Sequence, residues 1–205
     1  MLKGIDISNH NYNYLFNRDW YDVLTADFVI MKASEGLTFK DPCLDKFYDV
    51  LHGKKDGKPD KEKLYGFYHY ARPENQNNPI KEAQHFLSYV GHHAGHCIYA
   101  LDVEGDALRM NDFYLNAWVA TWCAYVIQQT GVKPLVYCSA SVTERFKGAA
   151  EIGCGLWVAS WGKKPTKKSI SPWSVWAFWQ NGVNHLDLDT FNGSAEQFRK
   201  YCERS

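Results

Sequence analysis

Asp102 and Glu104 stand two residues apart at the end of the apolar run Ile98-Tyr99-Ala100-Leu101. Such a run predicts a strand, and side chains alternate across a strand, so both carboxyl groups should face the same way. Their Cα atoms should lie roughly 6.5 Å apart, at about 3.3 Å per residue. Two acids held that close do not both ionise easily: one keeps its proton near neutral pH while the other stays charged. Glycoside hydrolysis uses such a pair, an acid for the leaving oxygen and a carboxylate facing the developing positive charge. The competing reading is a strand end in water that carries two solvated acids.

The elements that must position the pair alternate between strand and helix from the start. Strands are predicted over Leu2–Ser8, Asp27–Lys32, Leu64–Tyr70, Ile98–Val103 and Lys133–Cys138. Between them fall the helical stretches Asp19–Thr25, Pro42–His52, Pro79–Val90, Asp112–Thr130 and Ser141–Phe146. Asp41 and Asn78 are suited to cap the second and third helices, each ahead of a proline at the first helical position, and Gly131 ends the fourth. After that the rhythm changes. Gly155–Ser160, Ser174–Gln180 and Leu186–Asp189 read as strands with little helix between them, before a closing helix over Ala195–Glu203. Serial βα units imply an α/β fold with a parallel sheet, and eight strands suggest a barrel closed by a strand-rich end. No linker, repeat or low-complexity tract interrupts the chain, so residues 1–205 read as a single domain. Gly53–Lys63 is a charged segment containing glycine and proline, expected as a solvated loop; contact with an anionic cell wall is a second reading of it.

In a barrel of this kind the working residues sit at the C-terminal ends of the strands. Those ends carry Asp6 and Ser8; Lys32 followed by Ser34 and Glu35; Tyr68, His69, Tyr70 and Arg72; Asp102 and Glu104; Tyr137 and Ser139; Ser160 and Trp161; Trp179 and Gln180; Asp187 and Asp189. Barrel closure would bring the first and eighth strands together, and with them Asp6 and the Asp187/Asp189 pair. Polar and aromatic groups thus gather at one rim, as a saccharide cleft requires.

Composition removes some alternatives. The 23 basic and 23 acidic residues cancel, so the basic excess of a nucleic-acid binder is missing. No apolar run is long enough for a membrane span. Aromatic residues make up 16% of the chain, enough for both a packed core and a sugar-stacking groove. The six cysteines form no C-x-x-C pair and are expected as buried free thiols. No leader segment stands at Met1.

Seven segments in order then carry a specific resemblance: G-I-D-I-S (Gly4–Ser8), F-V-I-M-K-A-S-E-G (Phe28–Gly36), G-F-Y-H-Y-A-R-P (Gly66–Pro73), L-D-V-E (Leu101–Glu104), L-W-V-A-S-W (Leu156–Trp161), W-Q (Trp179–Gln180) and D-L-D-T-F-N-G (Asp187–Gly193). The chain resembles the catalytic domain of the glycoside hydrolase family 25 muramidases. The resemblance implies a flattened, TIM-like (β/α)5(β)3 barrel that cleaves the β-1,4 bond between N-acetylmuramic acid and N-acetylglucosamine, with no cofactor or metal. Carried over residue by residue, it makes Glu104 the general acid, Asp102 its assistant, and Asp6 and Asp187 the rest of the acidic floor. Lys32, Glu35, Tyr68, Tyr137, Trp161 and Gln180 would contact sugar. Trp161 is a departure, because the family often has tyrosine there; a stacking face is kept and a hydroxyl lost.

The resemblance further implies a monomer acting on peptidoglycan glycan strands, without membrane insertion or nucleic acid. It would be either a phage-type endolysin made in the cytoplasm or a secreted lysozyme whose leader has been removed. Asp102 could attack the anomeric carbon or orient the substrate's own N-acetyl group as nucleophile, or one of the acids could activate water on the opposite face; substrate assistance with retention is the preferred reading for a muramidase. Two other classes stay open. Asp6, Asp102, Glu104 and Asp187 could ligate a divalent cation in a metal-dependent hydrolase, and His92-His93-Ala94-Gly95-His96-Cys97 resembles a ligand run. A non-catalytic cell-wall saccharide-binding module would keep the aromatic rim. Neither serine nor cysteine has a visible histidine–acid partner, which disfavours esterase or protease chemistry.

Overall fold

The computed structural model describes residues 1–53 and 63–204. Most of the Gly53–Lys63 segment therefore lies outside the described residues. The strands are β1 (Leu2–Ile7), β2 (Phe28–Glu35), β3 (Phe39–Lys40), β4 (Leu64–Tyr70), β5 (Ile98–Asp102), β6 (Leu135–Ser139), β7 (Gly155–Ala159), β8 (Phe178–Asn184) and β9 (Leu186–Phe191). The α-helices are α1 (Tyr12–Phe16), α2 (Tyr21–Thr25), α3 (Leu44–Leu51), α4 (Pro79–Val90), α5 (Asp112–Thr130), α6 (Lys147–Glu151) and α7 (Ala195–Cys202). Eight strands close on themselves in the order β1-β9-β8-β7-β6-β5-β4-β2, with β1 pairing β2, and β3 hangs from the outer edge of β2. Among the eight barrel strands pairing is parallel except at β9, which runs antiparallel to both neighbours; the short β3 is antiparallel to β2. Five helical crossovers precede three strands without α-helix between them, the (β/α)5(β)3 plan.

The two-residue period of the strands divides the interior into two cores. Phe28 and Ile30, Ile98 and Ala100, Leu135 and Tyr137, and Trp157, Phe178 and Phe191 point into the barrel. Their neighbours, among them Ile5, Val29, Met31, Phe67, Leu101, Val136 and Val158, point outward against the helices. Inside the barrel, apolar groups fill the N-terminal end, where Phe198 and Cys202 of α7 plug it. Continued two residues further up, the same inward rows reach Asp6, Tyr68, Asp102, Tyr137 and Gln180. Gly4 belongs to this inward row: a Cβ there would come within 2.5 Å of the Phe28 ring, so its bareness makes room for that ring.

Local chemistry explains the helix ends. Asn78 Oδ1 accepts from the backbone N–H groups of Ile80 and Lys81 ahead of α4, and Asn111 Oδ1 accepts from Phe113 ahead of α5. Gly131, at φ 73°, ends α5 in the left-handed region. Asp41 does not cap α3 directly. Its carboxylate accepts from Cys43 N–H at 2.8 Å and Asn9 N–H at 2.9 Å, which ties the turn before α3 to the segment after β1. α3 accordingly starts two residues later than the proline rule suggests.

Other boundaries also differ from the sequence expectation. Tyr12–Phe16 is helical, and Trp20, at φ 60°, delays the next helix to Tyr21. Ser141–Phe146 resolves into a 3-10 turn over Thr143–Phe146 that runs into α6. β8 begins at Phe178 rather than Ser174 and runs on to Asn184, because it forms a hairpin with β9. All six cysteines are free, and only Cys43 is not fully buried. No helix among the described residues is long and apolar enough to cross a membrane.

Candidate active site

A cleft of about 270 Å³ opens at the C-terminal end of the barrel. Its wall and floor bring together Asp6, Tyr68, Asp102, Glu104, Tyr137, Trp157, Trp161, Gln180 and Asp187, from seven different strands or the residues following them. Every residue expected at the acidic floor is therefore present. Glu104 follows β5 in extended conformation, so the two-residue period holds through Asp102 and Glu104. Gly105 then turns the chain at φ 59°, and a Cβ there would meet the Tyr70 hydroxyl at 2.7 Å. Glycine at this position fixes where Glu104 leaves the strand.

A chain of hydrogen bonds runs under the cleft. Tyr137 donates its hydroxyl to Gln180 Oε1 at 2.9 Å, and Gln180 Nε2 donates to Asp6 Oδ2 at 2.9 Å. Trp161, more than half exposed at the rim, donates its indole N–H to the same Gln180 oxygen at 3.2 Å. Tryptophan here thus supplies a donor to the cleft wall in place of a hydroxyl. Below them Trp157 donates to Asp189 Oδ1 at 2.8 Å. Asp187 and Asp189 share a face of β9, as alternation requires, but at different depths: Asp187 lines the cleft, whereas Asp189 is 1% exposed beneath it.

Burial dominates the electrostatics. It pushes Asp6 from 3.8 to about 7, with Asp187 raising it further. Asp102 is driven well above the usual carboxylate range by burial, then by Glu104 and Asp6. Glu104 and Asp187 are also raised, burial again leading. Asp189 also rises well above its ordinary value, through burial first and then through the neighbouring Asp6. Burial keeps Tyr68 and Tyr137 neutral donors. Asp102 Oδ1 is buried and has no protein hydrogen-bond partner.

Lys32 and Glu35 stay outside the cleft lining and pair with each other, Nζ to Oε2 at 2.6 Å. Glu35 also binds Arg72 at 2.6 Å, and Arg72 reaches Glu74 at 3.3 Å. Lys32 and Arg72 lie over the Tyr70 ring, 4.9 and 4.6 Å from its centroid. This is a braced ion network beside the cleft, and the positive charge of Lys32 opposes the upward shift of both Asp102 and Glu104.

One arrangement has no signal in local sequence. Ser34 Oγ lies 2.9 Å from His69 Nδ1, and His69 Nε2 lies 2.8 Å from Glu82 Oε2. The order is that of a hydrolytic triad, but all three residues are fully buried. Burial pushes His69 down, so the neutral ring donates to Glu82 and accepts from Ser34. Asn77 Nδ2 and the Arg72 N–H complete the Glu82 carboxylate. A bulge in β2 between Lys32 and Ser34 carries Ser34 to the outer face, where it meets His69. With no path for a substrate, this group ties β2, β4 and α4 together. The sequence missed it because its members are 35 and 13 residues apart. The His92–Cys97 run lies at the opposite end of β5 from the cleft. No group of three or more His, Cys, Asp or Glu side chains among the described residues is arranged to hold a metal ion.

Comparison with known proteins agrees with this geometry. The family model for Glycosyl hydrolases family 25 matches residues 5–185. The chain is 24% identical to an N,O-diacetylmuramidase of Arthroderma benhamiae over 220 aligned positions, which cover 98% of this chain and 87% of that protein. It is 29% identical to an autolytic lysozyme of Clostridium acetobutylicum, over 78% of this chain and 45% of that longer protein. A family GH25 lysozyme from Aspergillus fumigatus superposes with a TM-score of 0.76 at 27% identity, covering 98% of this chain and 99% of the other.

Proposed function

Since the chain belongs to glycosyl hydrolases family 25, we propose that it is a muramidase, cleaving the β-1,4 bond between N-acetylmuramic acid and N-acetylglucosamine in bacterial peptidoglycan. The observation that carries this reading is the convergence of Asp6, Asp102, Glu104 and Asp187 on one cleft whose wall also presents Trp161 and two tyrosines. Burial and mutual repulsion keep protons in this cluster at neutral pH, which acid catalysis demands.

In the proposed mechanism Glu104, the more exposed of the pair, protonates the leaving oxygen as an oxocarbenium-like transition state develops. Asp102 faces the same sugar. Its unpartnered buried oxygen is suited to accept the N–H of the substrate's N-acetyl group. That hydrogen bond would favour the charged form of Asp102 and leave the shared proton on Glu104. The oriented N-acetyl oxygen then attacks the anomeric carbon, with retention. Asp6, held by Gln180, and Asp187 complete the negative floor. Trp161, Tyr68 and Tyr137 contact the sugars, with Lys32 and Glu35 bracing the neighbouring wall. The site of action is the bacterial cell wall, and residues 1–205 act as one catalytic unit and as a monomer.

Digestion of purified peptidoglycan, with mass spectrometry and reducing-end analysis, tests the reading. Products with N-acetylmuramic acid at the reducing end are expected. Reducing-end N-acetylglucosamine would move the cleaved bond, and intact glycan would overturn the proposal.

A further inference from the structure

The segment that follows β7 starts at the cleft and ends in a second cavity. Trp161 stands on the cleft rim, Ser160 N–H donates to Gln180 O, and Ser160 Oγ donates to Lys163 O at 2.8 Å. The chain then presents Lys163, Lys164, Lys167 and Lys168, all exposed, around the buried Pro165. No acidic residue occurs between Glu151 and Asp187. None of these four lysines is in an ion pair within the described residues.

The segment is fastened at its far end. Thr166 and Ser169 hydrogen bond to each other, Ile170 is buried, and Trp173 donates to Cys154 O at 2.7 Å. Thr166, Lys168 and Ser169 form one side of a cavity of about 800 Å³, larger than the cleft; Ser141, Thr143 and Lys147 stand on the other side. Arg145 is not available to a ligand there, because it binds Asp112 and the carbonyls of Leu108 and Met110. Glu144 is the remaining acid at this cavity. Four residues lie between Trp161 and Thr166, so their Cα atoms are at most about 18 Å apart along this segment.

We propose that the lysine segment 163–168, with the cavity it borders, binds the carboxylates of the peptide stems carried by the glycan strand being cut. The inference rests on the muramidase reading. In an intact strand the sugars are N-acetylated and the lactyl carboxyl is amide-bonded to the stem, so the strand's own carboxylates lie on the stems. A short peptide leaving a sugar in the cleft spans the distance to the cavity. Because the segment is pre-anchored, little ordering is needed on binding. The lysines therefore act on capture and on which strands are captured, not on bond cleavage.

The test compares wild type with a variant carrying Lys163→Gln, Lys164→Gln, Lys167→Gln and Lys168→Gln, with thermal melts checking that both are folded. Two substrates are used: peptidoglycan freed of anionic wall polymers by acid extraction, and the same glycan after amidase removal of its stems, which leaves one lactyl carboxylate on the sugar itself and none at stem distance. On stem-bearing glycan the variant should lose about tenfold in kcat/KM, a few tenths of a kcal/mol for each exposed charge contact, and its salt dependence should flatten. On stem-free glycan the two proteins should match. Equal rates on stem-bearing glycan would overturn the inference. So would an equal loss on both substrates, or a loss seen only when anionic polymers are left on the wall. If wild type cleaves neither glycan, the muramidase reading itself fails, and this inference with it.

Discussion

Asp6 and Asp187 stand directly opposite one another in the antiparallel β1–β9 ladder that closes the barrel. The two carboxyl groups are 181 positions apart in sequence and share the floor of one cleft. Closure of the barrel is thus the event that assembles the acidic site, and the cost of gathering these acids appears as raised proton affinities.

That cost has a sign. Asp6 titrates at about 7 in the fold against 3.8 ordinarily, so between those values the folded protein holds a proton that the unfolded chain has released. Its contribution to stability is largest below the lower value and is lost as pH rises towards the upper one. The effect is on the order of 4 kcal/mol at most, at about 1.4 kcal/mol per unit. Thermal melts across this range should show Asp6→Asn gaining on wild type as pH rises. A constant gap would contradict the shift.

Glu104→Gln should lower turnover by at least about a hundredfold, the lower range for loss of a general acid, while saccharide binding persists. In wild type, kcat should fall as pH rises through the elevated Glu104 value. Reducing-end release paired with calorimetric binding of a chitin-type oligosaccharide checks both statements. Undiminished turnover would remove Glu104 from the acid role.

Tyr137→Phe should affect kcat more than KM. It deletes one donor to Gln180 Oε1 and leaves Trp161 as the other, so the amide that holds Asp6 loses orientation. A stability loss of about 1 kcal/mol is expected from a single hydrogen bond, with roughly tenfold slower turnover at saturating substrate. An effect confined to KM would make Tyr137 a binding group only.

Glu82→Leu should cost about 3 kcal/mol or more, because it strands the His69 ring, Asn77 Nδ2 and the Arg72 N–H in a dry interior. Glu82→Gln should cost less. Denaturant titration measures both. A serine-directed phosphonate should leave activity untouched, since Ser34 is wholly buried; inhibition would show that the triad-like group opens.

Chelation with EDTA should leave the rate unchanged. Asp6 already accepts the Gln180 amide, and Asp189 the Trp157 indole, so the floor is built from hydrogen bonds and protons. Activity lost on chelation and restored by a divalent cation would revive the metal-dependent reading.

Much of the scaffold was legible because it depends on local periodicity and capping. The start of α4 follows from Asn78 and the end of α5 from Gly131, and the switch from βα units to bare strands after β7 follows from the apolar pattern. The i, i+2 spacing of Asp102 and Glu104 likewise placed both in the cleft, since strand alternation is a property of the backbone itself. Depth, pairing and register depend on other strands, and here the fold decided. Alternation put Asp187 and Asp189 on one face; only the tertiary register left the first lining the cleft and sank the second beside Trp157. Period two would have turned Ser34 towards Lys32, and a bulge sent it instead to His69 and Glu82. The sequence by itself determined which residue types reach the rim of a barrel. Tertiary structure decided how far each is desolvated, and desolvation is what separates a proton-holding carboxyl from a solvated one.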